Sequence, residues 1–297
     1  MAQEFLTTRE LAELLRIRER KVYDLVATGE VPCTRATGKL LFPRAGVMQW
    51  IASKGEGGQA SVSTTQSSPR PGVVLGSHDP LLEWALRESG AGLAMLFDSS
   101  EDGLERFAGR EGIATGLHLF ESARQQWNRP RVAARFANEA VVLVEFARRQ
   151  RGLIVAAGTA GSIKGLADLR QQTLVSRQPG AGSQALLEQL IAEAGLSADD
   201  FGPGELARSE ADAALLVSQG KAAATLGLQS LAQAYRLDFV PLLEERYDLL
   251  VDRKAWFDEP WQRFVHFCQG EAFRQKAGEY RGYDVSGFGR VWYNAGA

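Results

Sequence analysis

The chain has 297 residues, 45% hydrophobic and 24% charged. That is too long for one small domain, and the composition excludes a chain that cannot build a packed core. The formal net charge of -2 means that nucleic-acid binding would have to come from a local patch. Two cysteines, Cys33 and Cys268, stand far apart without metal-ligand neighbours, which argues against structural zinc and a disulfide scaffold. The start, MAQEFLTTRE, lacks a basic-then-apolar signal pattern, and no apolar run approaches the ~18 residues of a membrane span. The expected location is cytoplasmic, with no membrane partner.

Residues 1–58 carry a net +2 and the remainder -4. The stretch Phe5 to Glu10 predicts the opening of a helix, with Thr7 and Glu10 at capping-box spacing. Leu11, Leu14 and Leu15 follow on one face. After the break Arg16-Ile17-Arg18, a second helix is predicted from about Glu19 to Thr28, with Val22, Leu25 and Val26 inward. Gly29 suits the left-handed residue after a helix. Two short helices joined by a tight turn make a helix-turn-helix. Val31 to Arg35 and Lys39 to Phe42 flank Ala36-Thr37-Gly38, the pattern of a hairpin or wing. Pro43 then precedes a third helix, Arg44 to about Ile51, with Val47, Trp50 and Ile51 for the core.

From Lys54 to Gly72 the sequence KGEGGQASVSTTQSSPRPG has no aromatic residue and one aliphatic, Val62. It predicts a flexible linker. Beyond it, short apolar runs alternate with amphipathic segments: Val73-Val74-Leu75 then Leu81 to Arg87, and Leu93 to Phe97 then Gly103 to Phe107. Ile113-Ala114-Thr115 precedes His118. Such alternation predicts βαβ units and a mostly parallel sheet, with ligand at the strand carboxyl ends beside helix N-termini. The segments after the runs are small and polar: Gly76-Ser77-His78-Asp79, Asp98-Ser99-Ser100, and Gln178 to Ser183 after Thr173 to Arg177. Ser77, Ser99 and Ser183 each follow a strand and precede a helix. Capping and ligand contact are both open to them, and compatible.

The stretch Phe5 to Ser53 resembles the excisionase-type, MerR-like winged helix-turn-helix family. It follows the pattern LTTxExAxLLxIxxxxVYxLVxxGxVPxxRxxGxxxFPRxxVxxW almost throughout. The resemblance implies that the second helix enters the major groove of double-stranded DNA and that the wing touches backbone or minor groove. Arg18, Arg20, Lys21 and Tyr23 would then reach phosphates or base edges, with Arg35 and Lys39 on the wing.

The segments GSHDPLLEWAL, SSEDGLERFAGREGIATGLHL, RGLIVAAGT, LADLR, VSRQPGAGSQALLEQLIAEAGL and LDFVPLLEERYDLLV resemble the periplasmic-binding-protein-like domain fused to helix-turn-helix regulators and related to molybdate-binding proteins. The resemblance runs from about Val73 to Arg253. The implied fold is multidomain: the winged helix-turn-helix over residues 1–54, the linker over 55–72, and a two-lobed α/β, type II periplasmic-binding-protein-like domain over 73–297. Lobe 1 would take about 73–150 and 240–297, and lobe 2 about 157–237. Ser77, Ser99 and His118 would line the first lobe, Arg177, Gly182 and Ser183 the second, and Tyr247 would close the cleft. His118 and Tyr247 suit a structural role equally, and Arg177 suits a surface ion pair.

Two departures from that family bear on the ligand. Its GSGTR box is Gly180 to Gln184 here, without the arginine. Positions that usually carry His and Asp are Glu210 and Ala223. A Glu210 facing the cleft would oppose an oxyanion. The effector expected is a small polar or anionic molecule, either an oxyanion such as molybdate or tungstate or an organic acid. No cofactor and no metal site is expected.

No GxSxG, HExxH or Walker A pattern occurs, and adjacent Ser77-His78-Asp79 cannot converge as a triad. The expectation is a non-enzymatic transcription regulator whose DNA affinity responds to the effector. It would act as a homo-oligomer, dimer or tetramer, because a slack linker transmits torque poorly. The alternative is a cytoplasmic binding or storage protein with an N-terminal protein-interaction module.

Overall fold

The computed structural model describes residues 5–29, 31–34, 40–53 and 69–295. The chain divides into two compact units, Met1–Ser67 and Ser68–Ala297.

In the first unit, Thr7 caps the helix Thr8–Leu15 reciprocally. Its hydroxyl accepts from the Glu10 amide at 3.3 Å, and the Glu10 carboxylate accepts from the Thr7 amide at 2.7 Å. Phe5–Thr7 is therefore extended and not a first helical turn; it pairs antiparallel with Leu41–Pro43. Arg16 ends the helix in the left-handed region, φ 54°, and Arg18 opens the second helix, Glu19–Ala27. Thr34 and Leu41 exchange backbone bonds of 2.8 and 3.0 Å, the base of the expected hairpin. The third helix is Arg44–Ser53. Leu6, Leu11, Ala12, Val22, Val31, Phe42 and Val47 form the core. Leu14, expected inward, is 40% exposed; the small Ala12 sits on the buried stripe instead.

The second unit is built on a ten-stranded mixed sheet. Strands Val73–Ser77, Ala94–Asp98 and Ala114–Leu117 run parallel to one another. Leu174–Arg177, Leu206–Ala207 and Ala224–Leu228 form a second parallel group. Two 15-residue strands, Val141–Val155 and Asp238–Asp252, join the groups and pair antiparallel along nearly their whole length. The sheet is thus not simply parallel, because these crossing strands run against both groups. Register shifts at Pro241/Leu243 and Tyr247/Asp248 bracket the stretch of the second crossing strand between the groups. Bulges bend a strand and increase its twist. Separate apolar clusters fill the two sides: one contains Phe146, Trp261, Phe264 and Phe273, and another contains Leu153, Leu174, Leu187 and Leu226.

Close glycine packing sets one helix on the first group. A Cβ on Gly103 would lie 2.4 Å from the Gly76 Cα and 2.3 Å from Thr115 Oγ1. Only glycine there lets helix Ser100–Ala108 sit against two strands. Arg70 is already part of this unit, although the sequence pattern extends the linker to Gly72. Its side chain is 3% exposed, meets Asp252 at 3.1 Å, donates to the carbonyls of Phe107 and Gly112, and lies 4.2 Å from the Phe107 ring centroid. An arginine in a Ser/Pro-rich run gives no local sign of a partner so distant in sequence.

Candidate functional site

In the first unit, the second helix buries Val22 and leaves one side exposed. Arg18, Arg20, Lys21 and Tyr23, 53% exposed, all lie on exposed positions. Arg18, Arg20 and Lys21 make no ion pair among the described residues, so their charges are available to phosphates. Glu19 and Asp24 lie exposed on the same helix. Arg35 and Lys39 lie outside the described residues.

In the second unit, a cavity of about 450 Å³ opens where strands end. Its lining takes the carboxyl end, or the residue just after it, of six strands: Ser77, Asp98, His118, Arg177, Arg208 and Leu228. Five helices begin there as well, at Pro80, Ser100, Gly182, Glu210 and Gln229. First-turn amides have no intrahelical acceptor and carry the positive end of the helix dipole, so this arrangement favours negative charge. Ser99 caps its helix by accepting from the Asp102 amide at 3.1 Å, and Ser209 does so for Asp212 at 3.0 Å. No side chain caps Gly182–Glu193, and the Ser183 hydroxyl, 3% exposed, has no partner among the described residues. Pro80, Phe97, Leu228 and Leu231 give the cavity an apolar side.

Six of the expected ligand residues, Ser77, Ser99, His118, Arg177, Gly182 and Ser183, line this one cavity. His118 and Gly182 meet across it: a Cβ on Gly182 would lie 3.0 Å from His118 Cε1. Arg177 donates to the Arg208 carbonyl at 2.8 Å and forms no ion pair among the described residues. Burial lowers its pKa, with Glu210 opposing that; an arginine stays charged all the same.

Tyr247 is a correction. It is fully buried, and its hydroxyl donates to the Ser77 carbonyl. A side chain at Gly116 would collide with that hydroxyl. Tyr247 therefore supports a strand end from below and does not close the cleft. Burial drives its phenol pKa well up.

Beneath the cavity lies a charge cluster that the sequence patterns did not single out. Arg149 and Arg151, two apart on the first crossing strand, share a face, and both are at most 1% exposed. Glu245 stands opposite Arg149 in register and binds its guanidinium. It also lies 2.5 Å from Arg151 Nε and 3.1 Å from His118 Nδ1. Asp79 takes Arg149 at 2.7 Å and the Tyr283 hydroxyl at 2.6 Å, while its other oxygen caps helix Pro80–Glu88. Glu210 takes Arg151 at 2.9 Å. Burial pushes the Glu245 carboxyl up, but Arg149 and Arg151 outweigh it and hold the pKa well below the usual carboxylate range. Glu210 is likewise held down, by Arg151 against its burial. Glu245 is thus ionised and only accepts, so His118 Nδ1 carries the proton and Nε2 is left for the cavity. Ser100 completes the floor: its hydroxyl bonds Ser77 Oγ at 2.7 Å and accepts from the His118 amide at 3.1 Å. The available signal is RRQR, together with Glu145, interrupting a mostly apolar 15-residue strand.

A second cavity, about 570 Å³, lies beyond the Gly180–Gly182 turn. Its charges are paired with each other, Arg131 with Glu101 at 2.9 Å and Arg124 with Glu121 at 3.6 Å.

Two parallel strand groups, two crossing strands and a cavity at the strand ends define a two-lobed α/β fold of the binding-protein type. Residues 82–269 match the model of the PBP superfamily domain, and the chain belongs to that superfamily. Residues 5–55 match a helix-turn-helix domain. The chain is 27% identical over 306 residues to the uncharacterized protein YvgK of Bacillus subtilis (strain 168), covering 96% of each. Its fold is similar to a putative phosphate ABC transporter substrate-binding protein from Clostridium perfringens, solved with bound phosphate. There the identity is 12%, covering 72% of this chain and 99% of that one, with a TM-score of 0.52. It is also similar to a cysteine-to-serine mutant of Corynebacterium glutamicum OxyR, H2O2-bound, at 14% identity, covering 91% and 88%, with a TM-score of 0.50. Among the described residues no helix is long and apolar enough to cross a membrane.

Proposed function

We propose that the chain is a DNA-binding transcription regulator whose second unit holds a small polar or anionic effector in the strand-end cavity, with occupancy changing DNA affinity. The observation that carries this reading is the convergence of six strand ends and five helix starts on one cavity, in a chain that also bears a helix-turn-helix. Ligand control of DNA binding requires unequal effector affinity for the two DNA-binding states. The site is proposed to bind and not to catalyse. Ser77 is engaged with Ser100, Ser99 with the Asp102 amide, and His118 with Glu245. No hydroxyl hydrogen-bonds to the His118 ring among the described residues, as a nucleophile–base pair requires. We also propose a homo-oligomer, because one helix with few free cations binds weakly and two heads on paired half-sites bind with multiplied affinity.

The test is fluorescence anisotropy of the full chain on duplexes from the DNA flanking its own gene, at ~50 and ~200 mM salt. Binding should weaken steeply with salt and change on adding an effector found by thermal shift. Affinity that ignores salt, or no binding at low salt, would favour a ligand-storage protein. Native mass with and without effector checks assembly; a monomer in both states removes the oligomer.

A further inference from the structure

We infer that the cavity takes an organic acid bringing its own hydrogen-bond donor, an amino or hydroxyl group near its carboxylate, and that Glu210 rejects fully deprotonated inorganic oxyanions. This rests on the proposed reading of the cavity as the effector site.

The cavity lining carries two chemically distinct sets of groups within electrostatic reach of each other, since Glu210 and Asp98 both act on Arg177. One offers donors: the uncapped start of Gly182–Glu193, the unpartnered Ser183 hydroxyl, and the Arg177 guanidinium. The other offers acceptors. Glu210, its side chain 19% exposed, gives only one oxygen to Arg151 and makes no other bond among the described residues. Asp98 is exposed at its strand end, acts electrostatically on Arg177, and makes no hydrogen bond or ion pair among the described residues. A carboxylate only accepts when ionised, so a ligand touching this set must donate. Molybdate and sulfate have no donor at neutral pH.

Charge in the floor points the same way. Arg149 and Arg151 face three carboxylates, Asp79, Glu210 and Glu245. With Arg177, Arg208 and Asp98 of the lining included, four arginines stand against four carboxylates, which leaves no excess positive charge for an incoming dianion. Volume agrees: about 450 Å³ with Phe97, Leu228 and Leu231 in the lining exceeds what a four-oxygen anion fills, and suits an acid with an apolar body.

The test uses the full chain, titrated calorimetrically with sodium molybdate and with sodium sulfate. Glu210→Gln should tighten oxyanion binding at least fivefold over the unaltered protein, and Arg177→Ala in that background should remove the gain. Asp98→Asn, at an exposed unpaired position, should tighten binding in the same direction and covers the case in which E210Q, having lost a buried partner for Arg151, folds poorly. A gain below fivefold in both variants overturns the selectivity inference. If binding then still depends on Arg177, the cavity stands as the site and only the selectivity falls. Oxyanion binding indifferent to Arg177 in every protein overturns both. Submicromolar molybdate binding by the unaltered chain also overturns the selectivity.

Discussion

Glu245→Gln is the sharpest test of the buried cluster. The substitution keeps the side chain's shape and removes its charge, at a carboxylate with no solvent exposure. Two guanidiniums and the His118 Nδ1 proton lose their shared acceptor, and one end of the new amide must turn an N–H toward donors. Breaking a buried ion pair by removing one partner costs ~3–5 kcal/mol. Asp79 and Glu210 still neutralise Arg149 and Arg151, so the low end, about 3 kcal/mol, is expected. Urea unfolding followed by tryptophan fluorescence measures it, since Trp84, Trp127, Trp256, Trp261 and Trp292 all lie in the second unit. With m near ~2.5 kcal/mol/M, the midpoint falls by ~1.2 M at unchanged m. Adding Arg149→Met should cost less than the sum of the single changes, by ~1–3 kcal/mol. A midpoint shift below ~0.3 M at unchanged m, or strict additivity, would refute the coupling.

The proposed effector site, the proposed DNA face and the buried acid each carry a further expectation. Arg177→Ala with Ser183→Ala should abolish effector-induced thermal stabilisation, which reports binding directly; a retained shift would place the site elsewhere. Arg20→Ala with Lys21→Ala should weaken DNA binding and flatten the salt slope by ~2, one per phosphate contact; an unchanged slope would remove both from the interface. Asp248, buried under Asn128 and Arg246, has its carboxyl pKa pushed up by burial from 3.8 to about 7. The folded state thus holds the proton more tightly. Its stabilising contribution is full below the unfolded value and is lost as pH rises through about 7. Between pH ~5 and ~7.5 the unaltered protein should lose ~2–3 kcal/mol that Asp248→Asn does not lose. Denaturation curves at both pH values check this, and parallel behaviour of the two proteins would sink it.

Local chemistry was legible in the sequence. Thr7 and Glu10 signal a helix start because both partners of the capping box lie within one turn. Ser77, Ser99 and Ser183 stood out because a small polar residue between an apolar run and an amphipathic one marks a strand end. Long-range pairing was not legible. Arg149 finds Glu245 at 96 residues' separation, and nothing near either residue announces the other. Tyr247 was misplaced for a related reason. Its neighbours Glu245, Arg246 and Asp248 make the segment look polar, whereas all three turn to buried or half-buried partners and the ring packs among Phe146 and Arg149. Ser99 and Ser100 look alike in the sequence, because sequence alone does not separate a cap from the residue beneath it.

Arg70 gives the second unit a fixed point of departure. It grips the carbonyl of Phe107, near the end of the helix whose start, at Ser100, forms part of the cavity floor. Nine residues at ~1.5 Å each make that helix a strut of about 13 Å. The chain that leads to the helix-turn-helix unit is thus moored to the far end of an element that begins under the cavity. A second unit excised from residue 73 onward would lose its mooring, leaving Asp252 short of a buried cation; joining this unit to another helix-turn-helix therefore calls for a cut no later than Ser68.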